Sequence, residues 1–143
     1  MESDIGTKFL HKNDTVEISP FKTNKIVCLY FTASWCPPCQ GFCPILIDFY
    51  NEINSIEKKL EIILVSRDQN KEDFEEYYTQ MPWLALPWDD PRIYNLAEKY
   101  NIKGIPVLLV LKKNGEVASK IGKMDVSNEG LAAFDKWLGL IGS

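Results

Sequence analysis

This chain of 143 residues has a single histidine, no long apolar run and no excess of basic residues. The single histidine is His11, and no stretch approaches the ~20 consecutive apolar residues of a membrane-spanning helix. Lys and Arg number 16 against 20 Asp and Glu, a net charge of −4. A nucleic-acid partner usually requires a basic surface. We therefore expect neither a membrane span nor nucleic-acid binding.

The first residues lack the features of a targeting signal. Residues 1–16 contain no basic segment followed by an apolar one, and they are not Arg-rich. We therefore expect a cytoplasmic protein, in which structural disulfides would be rare. With no internal repeat or long linker, residues 1–143 are predicted to form a single domain, with residues 1–14 as a flexible N-terminus.

The apolar pattern alternates between strand-like and helix-like segments. Three short, almost unbroken apolar runs predict strands covered on both faces. They are residues 25–31, 60–66 and 106–112. Asn114-Gly115 is a favoured hairpin turn, so the third run should pair antiparallel with residues 116–121. A weaker strand is expected at 15–21.

Helices are predicted between these strands. Apolar residues recur at steps of three and four after Cys36 and again in two later segments. These stripes are Phe42, Ile45, Leu46, Phe49 and Ile53; Ile93, Leu96, Ala97 and Tyr100; and Leu131, Phe134, Leu138 and Ile141. Asn70 is expected to cap a further helix over 71–81. The order predicts an α/β fold, a mixed central β-sheet flanked by helices on both faces, with an extra N-terminal strand.

Two cysteines, Cys36 and Cys39, bracket two prolines at the start of the first predicted helix. A helix N-terminus stabilises negative charge, which suits a thiolate. A second thiol three residues later is placed to attack a mixed disulfide formed by the first. Pro37 and Pro38 stiffen the turn without loss of a helical hydrogen bond. We therefore interpret Cys36 as an exposed nucleophile and Cys39 as the resolving thiol.

The other cysteines admit a metal-site alternative. Cys36, Cys39 and Cys43 follow a C-x₂-C-x₃-C pattern, and Cys28 is a conceivable fourth ligand. Zinc sites usually take a second ligand pair from elsewhere in the chain, but the lone His11 lies far upstream, so no metal site is predicted. Cys28 is interpreted as a buried apolar residue. Cys43 is interpreted as packing, with a regulatory or glutathionylated thiol as the alternative.

With this dithiol between a strand and a helix, the chain resembles the thioredoxin superfamily over residues 15–141. Pro44, eight residues after Cys36, matches a proline inside the family's active-site helix. Pro106 matches its cis-proline, which implies that the Ile105 backbone lies beside the dithiol. "TASWCPPCQGFCP" and "MPWLALPW" are typical of tryparedoxins and nucleoredoxins. The resemblance implies the thioredoxin fold.

Two positions bear on the chemistry. Ordinary thioredoxins have a buried aspartate six residues before the first cysteine, whereas this chain has Tyr30, as tryparedoxins do. The sequence therefore leaves three candidates for the group that accepts the proton of Cys39: water, Tyr30 or another group. Arg67 stands where tryparedoxins typically have a tryptophan, and its charge argues against a cationic dithiol such as trypanothione. Alternatively, Arg67 is a solvated strand-end residue.

The tryptophans and one aspartate pair each admit a functional and a structural interpretation. Trp35 offers an apolar contact surface for a substrate, or packs over the helix start. Trp83 and Trp88 are interpreted as scaffold. Asp89 and Asp90 resemble a paired-carboxylate site, but a solvated loop is favoured.

The resemblance implies a thiol-disulfide oxidoreductase that reduces protein disulfides, such as those of peroxiredoxins, through a Cys36/Cys39 cycle. No bound cofactor is expected. The reductant would be a low-molecular-weight dithiol or a thioredoxin- or glutathione-type system. The alternative is a redox-sensitive protein-binding module of nucleoredoxin type with little turnover. The predicted substrate-binding residues are Trp35, Pro37, Pro38, Ile105 and Pro106.

Overall fold

A seven-stranded mixed β-sheet forms the centre of the computed structural model, which describes residues 2–142. Met1 and Ser143, the ends of the predicted domain, lie outside the described residues. The strands are β1 (Lys8–His11), β2 (Asp14–Glu17), β3 (Ile26–Thr32), β4 (Leu60–Ser66), β5 (Leu84–Ala85), β6 (Val107–Leu111) and β7 (Val117–Ser119). Their order across the sheet is β2-β1-β5-β4-β3-β6-β7.

Helices cover both faces of this sheet, which confirms the predicted fold class. They are α1 (Glu2–Ile5), α2 (Pro20–Thr23), α3 (Pro37–Ile53), α4 (Lys71–Tyr78), α5 (Pro91–Lys99), α6 (Gly122–Glu129) and α7 (Ala132–Leu140). One apolar core joins the sheet to α3, α4, α6 and α7, and a second joins it to α1, α2 and α5. None of the helices among the described residues is long and apolar enough to cross a membrane.

The central strand β3 carries the chain to the dithiol. It pairs parallel with β4 and antiparallel with β6, and all seven of its residues are buried. Cys28 and Tyr30 enter one core, whereas Leu29 and Phe31 enter the other. Coverage on both faces explains the unbroken apolar run in the sequence. The strand ends at Thr32, four residues before Cys36.

The N-terminal region differs from the prediction. A single strand over 15–21 is wrong, because the structure has β1, β2 and then α2, in which Pro20 takes the first helical position. Residues 8–11, in the stretch expected to be flexible, form β1 and are hydrogen-bonded between β2 and β5. The Phe9 side chain of β1 is fully buried.

Other element bounds are mostly as predicted. β6 and β7 pair antiparallel, and Asn70 caps α4 by accepting the Asp73 amide at 2.8 Å. Helix α4 ends at Tyr78 rather than at residue 81. Pro44 lies inside α3, as the resemblance implied. Ile45 belongs to the predicted apolar stripe of α3, but its side chain is 47% exposed.

Candidate active site

The active-site turn is built by the two prolines at the start of α3. Cys36 is the N-cap residue with an extended backbone, and Pro37 and Pro38 occupy the first two helical positions. Because proline has no N–H group, the Cys39 amide is the first amide of the helix that can donate a hydrogen bond. It donates to Cys36 Sγ at 3.3 Å. The turn therefore directs a helix N–H donor at the proposed nucleophile.

Cys36 is not the exposed thiol that the sequence suggested. Its side chain is only 5% exposed, because Sγ turns back toward the Cys39 amide. Cys39 is fully buried, and both residues are free thiols. The structure therefore describes the dithiol state.

The Cys39 thiol is held in its neutral form. Burial, and to a smaller extent the neighbouring Cys36 side chain, raise its pKa to about 11. A hydrogen bond with the Thr32 side chain and another with the Ala33 backbone act in the opposite direction. Cys39 therefore has to be deprotonated before it can act as a nucleophile.

A buried carboxylate holds the loop in front of Cys36. Asp68 Oδ1 accepts hydrogen bonds from the Ser34 amide at 2.8 Å and from the Ser34 hydroxyl at 2.6 Å. Its other oxygen accepts from the Ser66 hydroxyl at 2.7 Å. Because Ser66 ends β4, Asp68 ties the active-site loop to the neighbouring strand. Sequence reasoning missed this residue, although an aspartate two residues after a predicted strand was a visible signal.

A groove beside the dithiol brings together Trp35 and Ile105, two of the predicted substrate-binding residues. The Trp35 side chain is 54% exposed, and its Nε1 donates to the Arg67 carbonyl at 3.3 Å. The groove has a volume of about 270 Å³ and is lined by Trp35, Arg67, Ile102, Lys103, Gly104 and Ile105. Arg67 is half-buried in this lining, so it is not merely a solvated strand-end residue.

The other predicted contact residues lie at the edges of the site. The Ile105–Pro106 peptide bond is cis, as the resemblance implied, and both residues are half-buried. Pro37 and Pro38 are exposed at the start of α3. The prolines therefore border the thiols, and Ile105 faces the Trp35 groove.

A second cleft lies on the opposite side of the turn, between the start of α3 and helix α4. Its volume is about 610 Å³, and its lining is Ser34, Gln40, Asp73, Glu76, Tyr77, Thr79 and Gln80. Two carboxylates, those of Asp73 and Glu76, make it acidic. Tyr77 is almost buried, and its hydroxyl group lies 2.9 Å from the Thr32 hydroxyl group.

The remaining candidates are structural. Trp83 is fully buried, with its ring edge-on to Tyr30 at 5.8 Å between centroids, which confirms a scaffold role. Asp90 is not a solvated loop residue, because it caps α5 through the Arg92 amide at 2.9 Å and also pairs with the Arg92 guanidinium. Asp89 is exposed.

The other cysteines are buried packing residues. Cys28 is fully buried and Cys43 is 1% exposed, and burial raises the pKa of both thiols. Within residues 2–142, no group of three or more His, Cys, Asp or Glu side chains is arranged to hold a metal ion.

The fold and this dithiol turn agree with a known protein family. A family model described as thioredoxin-like matches residues 24–117. The chain belongs to the thioredoxin-like family. The matched segment runs from just before β3 to the start of β7. It includes the dithiol, the cis-proline loop and the hydrogen bonds of Asp68 with Ser34 and Ser66, which we call the Asp68 clamp.

Its relatives include both groups that the motifs indicated. Tryparedoxin from Trypanosoma brucei brucei is 41% identical over 118 residues, which cover 82% of this chain and 79% of that protein. Probable nucleoredoxin 1 from Arabidopsis thaliana is 42% identical over 110 residues, 77% of this chain and 19% of that protein. The chain therefore spans only about a fifth of that plant relative.

Solved structures support the same relationship. A tryparedoxin II solved in complex with glutathionylspermidine is 36% identical and has a TM-score of 0.80, with 89% of each chain covered. The shared fold and the identity above 30% place this thioredoxin-like protein among the tryparedoxin- and nucleoredoxin-like oxidoreductases.

Proposed function

We propose that this thioredoxin-like protein reduces disulfides in other proteins, such as those of peroxiredoxins, through a Cys36/Cys39 cycle. The Cys36 thiolate attacks one sulfur of the substrate disulfide, which forms a mixed disulfide and releases the other substrate sulfur as a thiolate. Cys39, as a thiolate, then attacks Cys36 Sγ. The substrate leaves fully reduced, and the protein retains the Cys36–Cys39 disulfide.

The observation that carries this proposal is the hydrogen bond from the Cys39 amide to Cys36 Sγ at 3.3 Å. It supplies a fixed donor to the attacking sulfur and places the resolving residue next to it. A helix N-terminus at the same point adds favourable electrostatics for a thiolate. The groove of Trp35 and Ile105 offers an apolar surface on which a substrate segment can bind.

The cycle closes when a second thiol reduces the Cys36–Cys39 disulfide. A low-molecular-weight dithiol or a thioredoxin- or glutathione-type reductant supplies the two electrons in our proposal. The tryparedoxin II complex with glutathionylspermidine supports a thiol of that general kind. Arg67 and Lys103 put positive charge in the Trp35 groove, which favours an anionic glutathione-type reductant over a polycationic one. A reducing cytoplasm would suit this cycle.

Turnover with a defined substrate tests the proposal. The reduced protein is mixed with an oxidised peroxiredoxin, glutathione and glutathione reductase, and NADPH consumption is followed. We expect many turnovers per protein molecule, none with Cys36→Ser, and a trapped mixed disulfide with Cys39→Ser. Cys43→Ala is the matched control, because it removes a buried thiol outside the cycle and should retain turnover.

The same assay distinguishes a disulfide reductase from the alternative, a redox-sensitive binding module. The exposed Trp35 surface and the nucleoredoxin relatives support that interpretation. Stoichiometric trapping by Cys39→Ser without turnover in the parent protein would favour a redox-sensitive binding role. Failure of the parent protein to form an intramolecular Cys36–Cys39 disulfide under mild oxidant would overturn both interpretations.

A further inference from the structure

The exposed tryptophan next to the nucleophile is held in place by a hydrogen bond. Trp35 precedes Cys36, and its side chain is 54% exposed, whereas Trp83 and Trp137 are fully buried. An unrestrained surface side chain samples several rotamers, and a partner has to order it on binding. Trp35 instead donates from Nε1 to the Arg67 carbonyl at 3.3 Å. Its indole is therefore oriented before a substrate binds.

The segment that holds the indole also holds the backbone in front of it. β3 and β4 are parallel neighbours, so the residues that follow them leave the sheet side by side. The Arg67 amide donates to the Thr32 carbonyl at 2.8 Å. Asp68 Oδ1 accepts from the Ser34 amide at 2.8 Å and from the Ser34 hydroxyl at 2.6 Å. Hydrogen bonds therefore join residues 67 and 68 to the turn on both sides of Ala33.

Asp68 carries its charge into the protein interior without a cation. The residue is 6% exposed, and it forms no ion pair in the described part of the chain. Its side chain accepts from neutral donors, the two groups of Ser34 and the Ser66 hydroxyl at 2.7 Å. A buried carboxylate without a cation is unfavourable unless hydrogen bonds offset its lost hydration. The hydrogen bonds that do so fix Ser34, the residue directly before Trp35.

We propose that Asp68 is a positioning residue, which acts through Ser34 to hold Trp35 in the orientation that contacts a protein substrate. The Asp68 clamp restrains the backbone before Trp35, and the Arg67 carbonyl restrains its indole. A preorganised aromatic surface binds a partner without the entropic cost of ordering it. Trp35 shares its groove with Ile105. In this role Asp68 affects the binding of a protein substrate and leaves the reactivity of the Cys36 sulfur unchanged.

The inference rests on the proposed function, and its structural part has a test of its own. In isotope-labelled protein each of the four tryptophans gives one indole N–H signal in an NMR spectrum, and Trp35→Phe identifies the signal of Trp35. Asp68→Ala should move that signal and speed its exchange with water at least about fivefold, because the hydrogen bond to the Arg67 carbonyl is weakened. An unchanged Trp35 signal in Asp68→Ala would overturn the inference.

Kinetics with a protein substrate test what the restraint does. The value of kcat/KM for an oxidised peroxiredoxin is measured in the glutathione-coupled assay. A misplacement of about 1 Å can cost ~10²-fold, so Asp68→Ala should lower kcat/KM at least about tenfold. Alkylation of Cys36 by iodoacetamide, a small probe that needs no docking surface, should stay within about twofold of the parent rate at each pH. An unchanged kcat/KM, or equal losses in both rates, would overturn the positioning role.

A double-mutant cycle separates positioning from general destabilisation. If Asp68 acts through Trp35, Asp68→Ala should change kcat/KM less than about twofold in a Trp35→Ala background. Full additivity of the two losses would contradict the proposal. Asp68→Asn keeps an acceptor oxygen for Ser34, so its kcat/KM should stay within about threefold of the parent value. Equal losses in Asp68→Asn and Asp68→Ala would also contradict it.

Asp125→Ala is the matched control, because Asp125 is also a buried aspartate that accepts from a serine and a tryptophan. It is 2% exposed, and the Ser119 hydroxyl and Trp137 Nε1 each donate to it at 2.9 Å. Asp125→Ala should lower the urea midpoint and move the Trp137 signal, but it should leave the Trp35 signal and kcat/KM at their parent values. A loss of kcat/KM equal to that of Asp68→Ala would show a general effect of destabilisation and refute the proposal.

A milder variant keeps the test available if Asp68→Ala does not fold. Ser34→Ala removes only the hydroxyl donor of the clamp, so it should move the Trp35 signal and lower kcat/KM about two- to fivefold. Parent values of both would then overturn the inference. Absence of turnover in the parent protein would contradict the proposed function, whereas the NMR comparison would still decide whether Asp68 positions Trp35.

Discussion

At the residue scale, a few buried polar contacts set the geometry around the thiols. Ser34, just before Trp35 and Cys36, is tied to Asp68, which accepts hydrogen bonds from both its amide and its hydroxyl. The Cys36–Cys39 spacing was legible from sequence because both residues belong to one helix turn. The Ser34–Asp68 and Thr32–Tyr77 contacts were not, because 34 and 45 residues separate their partners. Spacing along a chain does not record which distant residues pair.

Replacement of Asp68 tests the clamp. Asp68→Ala leaves the Ser34 amide and the Ser66 hydroxyl without their acceptor, and each unsatisfied buried group costs about 1–3 kcal/mol. We expect the free energy of unfolding to fall by at least that amount in urea titrations. Asp68→Asn, which retains one acceptor oxygen, should lose less. Equal stability of the alanine variant and the parent would show that the clamp is not needed.

The buried Cys39 thiol predicts a loss of stability at alkaline pH. Burial raises its pKa from 9.0 to about 11. Between these values the unfolded chain releases this proton and the folded protein keeps it, so the unfolded state binds fewer protons. The free energy of unfolding should therefore fall as the pH rises from about 9 to about 11. Cys39→Ser should show a shallower fall in urea titrations across that window, and parallel pH profiles would contradict the assignment.

At the element scale, the predictable segments are those with an unambiguous local pattern. β3, β4 and β6 are apolar throughout because both of their faces are covered, and their bounds were predicted within one residue. Outside the N-terminal region, two elements were missed for physical reasons. β5 has only two residues, and α6 has a polar composition without an apolar stripe, so tertiary contacts define both.

Close packing of α6 on β6 makes Gly122 a sensitive position. A Cβ atom at Gly122 would lie 2.6 Å from the Leu108 carbonyl oxygen, a backbone atom of β6 that has little room to move. Overpacking typically costs about 1–3 kcal/mol, so Gly122→Ala should lower the urea midpoint. A Cβ atom at Gly139 in α7 would instead point into open space. Gly139→Ala should therefore stabilise by about 0.5–1 kcal/mol, and a stable Gly122→Ala protein would contradict the packing.

At the scale of the whole molecule, the N-terminal hairpin is part of the central sheet. β1 lies between β2 and β5, and its Phe9 enters the core that also contains Ile5, Leu84 and Ile93. The family match begins only at residue 24, after this hairpin. The hairpin was hard to predict from the sequence because no residue of β2 is fully buried and its apolar residues do not alternate with polar ones.

Because the β1–β2 hairpin is part of the central sheet, a substitution in β1 should destabilise the whole domain. Phe9→Ala should lower the free energy of unfolding of the entire domain by about 3–5 kcal/mol, as for other buried phenylalanines. The exposed Thr15 of β2 gives a control, because Thr15→Ala should change stability little. Urea unfolding followed by tryptophan fluorescence reports the core. An unchanged transition in Phe9→Ala would mean that the hairpin unfolds independently.

The low exposure of Cys36 bears on which disulfides could approach its sulfur. Only 5% of Cys36 is accessible, whereas its neighbours Trp35, Pro37 and Pro38 are exposed. A cystine sunk within a rigid partner cannot approach this recessed sulfur, whereas one on a projecting or frayed segment can. If the proposed cycle operates, we therefore expect the recess to favour cystines on projecting segments over the buried structural disulfides of folded proteins.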